Sequence, residues 1–410
     1  MAERAVSSDP GSWWITSWLP SWCPSSQCKL KEVEERMLQP LKSKFSKQFV
    51  HISNDNKLWT LVFHGGVEGK TPLVLLHGFG GGVGLWAQNL DALSQQRPVY
   101  AFDLLGFGQS SRTHFSTDAQ EAELQFVESI EEWREKLGLE IMIMLGHNLG
   151  GYLAAAYSLK YPSRVKHLIL VEPWGFPERP QPGDQDRPIP VWIKALGAML
   201  SPFNPLAGLR LAGPLGPLLV QTLRPDFKKK FDTIFNDNTV TEYIYHLNVQ
   251  SPSGETAFKN MTIPYGWAKR PMLQRTGLIH SDIPITVIYG SRSSIDGHSG
   301  NSIKEMRPNS HVEIIAIRGA GHYVYADQPE DFNHRVLHVC ETPEIRASGM
   351  HRLCGYEVCV LCMCVCSRVL HILLAVRLLT AQVGQQSNGR HGDQNLAMPS
   401  GPTVCSPSLR

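Results

Sequence analysis

The 410-residue sequence predicts an α/β fold: a mostly parallel central sheet flanked by helices, with a helical cap inserted into it. Three observations carry that reading. Short apolar runs rich in β-branched residues recur along the chain, and runs without polar alternation suit strands buried on both faces. Amphipathic helical stretches lie between them, which is the alternation of a parallel sheet with crossover helices. One long stretch rich in Pro and apolar residues interrupts that alternation.

Taken in order, residues 1–48 read as an arm and linker. The segment GSWWITSWLPSW places Trp13, Trp14, Trp18 and Trp22, four of the chain's ten tryptophans, beside Ile15 and Leu19, with Lys29, Lys31, Lys42, Lys44 and Lys47 following. Indole rings favour the boundary between apolar and wet phases, so these four residues are the candidate anchor to a lipid surface; packing on the protein's own core is the alternative. The segment has neither the basic start and apolar core of a secretory signal nor a span's length.

Residues 49–177 form the first part of the expected core, with strands at 73–76, 99–102, 141–145 and 168–171 and helices at 121–136 and 149–161. Residues 178–272 carry PVWIKALGAMLSPFNPLAGLRLAGPLGPLLV and then RPDFKKK, read as a helical cap over the sheet's carboxyl edge. An apolar cap there encloses a lipid-like ligand or simply packs on the core. Residues 273–340 complete the core with strands at 285–289 and 312–317.

Residues 341–410 change character. Lys, Phe and Trp vanish, and CVLCMCVC leads into SRVLHILLAVRLLTAQV. Arg368, His371 and Arg377 weaken any membrane span there, and no second Cys/His knuckle supports a metal site, so an unstructured tail is expected, with reversible acylation of its cysteines as an alternative.

Composition narrows the function. Lys+Arg 39 against Asp+Glu 37 leaves a net charge of +2, too small a field to draw the protein to nucleic acid. Of nine cysteines only Cys23 and Cys28 precede Cys340, so the core reads as an intracellular fold without disulfides.

The chemistry-bearing motifs fall after strands. Gly146-His147-Asn148-Leu149-Gly150 sits where a strand turns into a helix, the setting of the G-x-S-x-G nucleophile elbow, but with Asn148 where serine is expected. His77-Gly78-Phe79-Gly80-Gly81-Gly82 follows the first strong strand, from where the backbone N–H groups of Phe79 and Leu149 would bind an oxyanion. Asp296 and His322 follow the last two strands, giving the order elbow, acid, histidine. Asn is at home in a positive-φ turn, so the elbow can persist without its nucleophile. An amide gives His322 nothing to deprotonate and forms no acyl-enzyme.

His322 and Asp327 also form an H-x4-D arrangement, in which a histidine base would act on an acceptor hydroxyl. Alternatively, Asp327 only starts the last helix before Pro329 while Asp296 orients His322. A serine hydrolase using Ser110 or Ser111 is a third possibility, although their Gly-rich loop has no elbow.

Together these motifs resemble the α/β-hydrolase superfamily. GHNLGG, LLGFGQSSR, VEPWGFPERP, TVTEYIYHLN, MTIPYGWAKRPMLQR and GAGHYVYADQPEDFN are similar to its Asn-elbow branch of lipase co-activators, over about Trp13 to Cys340. The resemblance implies a protein of the cytoplasm and lipid-droplet surface that activates adipose triglyceride lipase, with perilipin-type droplet coat proteins as further partners. It also implies CoA-dependent acylation of lysophosphatidic acid as the alternative activity, with His322 and Asp327 as its motif and acyl-CoA as co-substrate. Arg292 and Gly321, beside the idle triad, are candidate contact residues for the lipase. No metal or resident cofactor is expected.

Overall fold

The computed structural model describes residues 25–65, 69–179, 204, 206–293 and 298–341. An eight-stranded sheet runs in the order β1-β2-β4-β3-β5-β6-β9-β10, made of β1 (Ser46–His51), β2 (Lys57–Phe63), β3 (Leu73–Leu76), β4 (Val99–Phe102), β5 (Met142–His147), β6 (Val165–Val171), β9 (Ile285–Gly290) and β10 (Val312–Ile317). From β4 to β10 neighbours are parallel, and β2 pairs antiparallel with both β1 and β4. A two-stranded ribbon, β7 (Thr262–Ile263) with β8 (Trp267–Ala268), lies apart from it.

All six expected strands form, β5 and β6 being longer than expected at one end. The edge pair β1 and β2 was not foreseen, because KLWTLVF carries a buried Thr60 inside its apolar run.

Period-2 alternation sorts the strands onto two cores. Leu73, Leu75, Ile143, Leu145 and Ile169 face one side, where the helix Gln27–Leu38 and the cap helix Thr239–Asn248 pack. Val74, Leu76, Met142, Met144 and Leu168 face the other, covered by Ala119–Lys136 and Leu149–Lys160. Asp118 caps Ala119–Lys136, its Oδ1 accepting from the N–H groups of Gln120 (2.8 Å) and Glu121 (2.9 Å), while Arg134 and Lys136 meet the negative end of its dipole. The described cap residues from Ala207 to Met261 are chiefly helical.

The helix Gln27–Leu38 is fastened to the cap and the core by a buried acid. Glu34 accepts hydrogen bonds from Trp59 Nε1 (2.6 Å), Gln109 Nε2 (2.6 Å) and Tyr243 Oη (3.1 Å). Asp103 lies close by and takes the N–H groups of Val83 (2.9 Å) and Gln109 (2.7 Å). Burial, reinforced by Asp103, pushes the Glu34 carboxyl up to about 8 against the pull of its three donors, and burial lifts Asp103 to about 6.

The turn between β5 and Leu149–Lys160 is drawn tight by two glycines. A Cβ on Gly150 would lie 2.4 Å from the carbonyl oxygen of Leu76, and one on Gly146 would lie 2.3 Å from that of Gly150. Strand β3, β5 and the helix therefore approach at a distance no side chain allows.

Two outcomes follow. Gly150→Ala is expected to cost at least about 1–3 kcal/mol in urea denaturation through overpacking, whereas Gly208→Ala, in a cap helix where nothing lies within 4 Å of the new methyl, raises or leaves stability unchanged. Because the native state holds the Glu34 proton more tightly than the unfolded chain, this group's contribution to stability falls as pH rises from 4.5 toward about 8. Unfolding free energies of the wild type should therefore decline across that window more steeply than those of Glu34→Gln, by up to about 1.4 kcal/mol per pH unit; equal slopes would exclude Glu34 as the source.

Candidate active site

Strand β5 delivers Asn148 to the carboxyl edge of the sheet with φ 52° and ψ −115°. The next residue, Leu149, opens the helix and is buried. The Asn148 backbone carbonyl accepts from the N–H groups of Gly151 (3.1 Å), Tyr152 (3.2 Å) and Trp174 (3.1 Å), so the turn is held from two sides. Its side-chain Oδ1 accepts from the backbone N–H of Phe79 at 3.3 Å. The donor expected to bind an oxyanion is thus engaged by the carboxamide that replaces the nucleophile.

The loop that supplies Phe79 is fixed by His77. With Nδ1–H donating to the Gly78 carbonyl (2.8 Å), Nε2 accepts from Leu104 N–H (2.9 Å). Burial brings this imidazole down to about 4, consistent with that neutral tautomer. The cap holds the same loop through Asn248 Nδ2, which donates to the Gly80 carbonyl (2.9 Å), and through Tyr243 Oη, which accepts from Gly84 N–H (3.1 Å).

His322 lies in the loop after β10. Its ring stands 4.8 Å from that of His147, the residue preceding Asn148, and its carbonyl lies 3.1 Å from His147 Nε2. Burial, then the neighbouring His322, holds His147 well below the ordinary imidazole range. The carboxylate against His322 Nδ1 is that of Glu172, at 3.3 Å.

Glu172 follows β6 directly, has φ 46° and is fully buried, and it also receives Gly290 N–H (2.7 Å) and Ser293 Oγ–H (2.6 Å). Asp296, the acid expected from chain order, lies outside the described residues; among the described residues the acid beside His322 is Glu172. The signal for it was an acid at the end of a buried strand run, Val171-Glu172-Pro173.

Asp327 is placed otherwise than an H-x4-D base pair requires. Its Oδ2 accepts from Gly321 N–H (2.8 Å), and Oδ1 pairs with Lys230 of the cap. It serves as a strut between the cap and the histidine loop, and among the described residues Glu172 is the acid beside His322 Nδ1. Pro329 opens a further helix over 329–341.

Arg292 and Gly321 stand on adjoining turns. Arg292 is exposed, its N–H donating to the Ala320 carbonyl (2.9 Å) and its guanidinium to that of Gly319. Ser110 and Ser111 are structural: Ser110 Oγ donates to the Asp103 carbonyl (2.6 Å) and accepts from Trp59 N–H (2.9 Å), and Ser111 Oγ accepts from Lys57 N–H (2.9 Å). Trp13, Trp14, Trp18 and Trp22 lie outside the described residues.

Beside Phe79 a cavity of about 390 Å³ opens beneath the cap. Phe79, Leu85, Leu209, Val220, Phe227 and Ile244 make it apolar, with Arg224, Asn248 and Tyr323 as its polar points. Arg224 is held by Asp226 at 2.9 and 3.0 Å and lies over the Phe227 ring. Among the described residues no group of His, Cys, Asp and Glu is arranged to hold a metal ion, and no helix is long and apolar enough to cross a membrane.

A family model for the alpha/beta hydrolase fold matches residues 71–329. The chain is 69% identical over 342 residues to the 1-acylglycerol-3-phosphate O-acyltransferase ABHD5 of Homo sapiens, a match spanning 83% of this chain and 98% of that one. It is 55% identical over 329 residues to the (lyso)-N-acylphosphatidylethanolamine lipase of Homo sapiens, spanning 80% and 96%. Among solved structures, the carboxylesterase CesB from Bacillus subtilis superposes with a TM-score of 0.55 at 18% identity, over 76% of this chain and 96% of that one, a likeness of fold. The sheet order, the elbow and these matches agree: the chain belongs to the α/β-hydrolase fold family.

Proposed function

We propose that this protein is a pseudo-hydrolase of the cytoplasm and the lipid-droplet surface that activates a triglyceride lipase by contact rather than by chemistry of its own. The observation that carries this reading is the carboxamide of Asn148 on the Phe79 N–H. Serine hydrolysis needs a nucleophile at position 148 and a vacant oxyanion donor, and here one side chain replaces the first and engages the second. Loss of the nucleophile from such a triad costs about 10⁶-fold in rate. The turns bearing Arg292 and Gly321 are then available as contact surface for adipose triglyceride lipase, with the tryptophan arm as the lipid anchor and perilipin-type coat proteins as further partners.

A second reading is favoured by the name of the relatives at 69–70% identity, 1-acylglycerol-3-phosphate O-acyltransferase, and by the pairing of His322 with Glu172. In that chemistry His322 takes the proton from the free hydroxyl of lysophosphatidic acid as the hydroxyl oxygen attacks the thioester carbonyl of acyl-CoA. The new ester C–O bond forms, the C–S bond breaks, and the proton passes to the departing CoA thiolate. The apolar cavity suits an acyl chain, but stabilising the oxyanion at Phe79 requires Asn148 to release that N–H.

Purified wild type, His322→Ala and Asp327→Asn, each assayed for ester hydrolysis, acyl-CoA-dependent acylation of lysophosphatidic acid and stimulation of triglyceride lipase on emulsified substrate, separate the readings. The co-activator reading expects wild type to stimulate the lipase and to hydrolyse no ester; triacylglycerol hydrolysis by wild type alone would overturn it. Acyl transfer that falls about 10²–10⁴-fold in His322→Ala would establish the second reading.

A further inference from the structure

Three donors converge on the buried carboxylate of Glu172. Oε1 takes the N–H of Gly290 at 2.7 Å, and Oε2 is shared between Ser293 Oγ–H at 2.6 Å and His322 Nδ1 at 3.3 Å. Gly290 and Ser293 bracket the turn that presents Arg292, closed by Ser293 N–H on the Gly290 carbonyl (2.9 Å). That turn is laced to the histidine loop: Ser291 N–H reaches the Ile317 carbonyl (3.0 Å), Gly319 N–H reaches Ser291 Oγ (2.9 Å), and Arg292 N–H reaches the Ala320 carbonyl (2.9 Å). A Cβ on Gly290 would lie 2.4 Å from the Gly321 carbonyl oxygen, so the two loops pack closer than any side chain at 290 would allow.

We infer that Glu172 is a shared positioning residue: through one oxygen it sets both the imidazole of His322 and the turn that exposes Arg292, so that a change at either is felt at the other. The physical ground is competition. Two donors on one oxygen of a fully buried carboxylate divide its charge, and in a low-dielectric interior weakening one bond strengthens its rival. The hydroxyl at 2.6 Å is the stronger contact and the imidazole at 3.3 Å the one left long. Glu172 also holds φ 46°, a conformation unfavourable for a residue with a Cβ, and its N–H is pinned to the Ile288 carbonyl (2.9 Å). The carboxylate is therefore aimed by a backbone with little freedom to turn. Among the described residues, the groups facing this cluster include His147 from the end of β5, Tyr323 and Asp327 from the histidine loop, and Arg292 itself.

The functional meaning of the linkage rests on the co-activation reading, in which the Arg292 turn is contact surface; the linkage itself does not. The test is solution NMR of the full chain at one fixed pH, following the His322 Nδ1–H proton and the backbone amides of 290–293. Ser293→Ala removes the competing hydroxyl, so the His322 Nδ1–H resonance should move downfield, while Ser293→Thr, which keeps a hydroxyl, should stay near the wild-type position. His322→Ala should in turn shift the amide resonances of Ser291, Arg292 and Ser293. An unmoved His322 proton in a folded Ser293→Ala protein, or unmoved turn amides in His322→Ala, overturns the inference. Lipase stimulation measured on the same Ser293→Ala sample keeps the two claims apart: a shifted His322 proton with unchanged stimulation supports the linkage and counts against the turn as lipase contact surface.

Discussion

The contact between the Asn148 carboxamide and the Phe79 N–H depends on everything around it being in place. It needs a residue with a side chain held at φ 52°, which needs a strand, a helix and a neighbouring strand to meet within less space than a methyl group occupies, which in turn needs Gly146 and Gly150. Asparagine answers both demands. It tolerates the backbone conformation, and its amide oxygen satisfies the backbone N–H of Phe79. The frame of a hydrolase site is thus preserved as architecture: loop, elbow and histidine remain where the fold puts them.

Around that frame, buried acids join pieces distant in sequence. Glu34 brings the helix after the arm to Trp59 of the core and Tyr243 of the cap. Asp327 ties the histidine loop to Lys230, 97 residues earlier. Glu172 ties β6 to the turns after β9 and β10. Each is a buried or largely buried carboxyl group with several polar partners, the arrangement in which such a group can be kept at tolerable cost. The cap's attachments include the oxyanion loop, held by Asn248 and Tyr243, the helix Gln27–Leu38, held by Tyr243, and the histidine loop, held by Lys230.

Much of this was legible in the sequence, for physical reasons. Continuous apolar runs rich in β-branched residues suit strands covered on both faces, and each of the six predicted ones is in the sheet. The elbow and the oxyanion loop are local motifs whose geometry follows from a few adjacent residues, and both sit at strand ends as expected. What could not be read are pairings that chain order does not encode. Among the described residues the acid beside His322 is Glu172, from the strand before the cap, because spatial neighbours at the sheet edge come from β6 as readily as from β9. Asp327, five residues beyond the motif histidine, turns to Gly321 and Lys230 instead. The Asn148 side chain could be named from sequence, but its hydrogen bond to Phe79 could not.

The central claim is that position 148 presents an engaged, inert amide in an otherwise intact frame. Intact-mass measurement after incubation with a fluorophosphonate tests it most directly, with Asn148→Ser as the counterpart that puts a hydroxyl at the elbow and frees the Phe79 N–H. The account predicts unchanged mass for wild type and one added phosphonyl group for Asn148→Ser. A phosphonyl adduct on wild-type protein would contradict it.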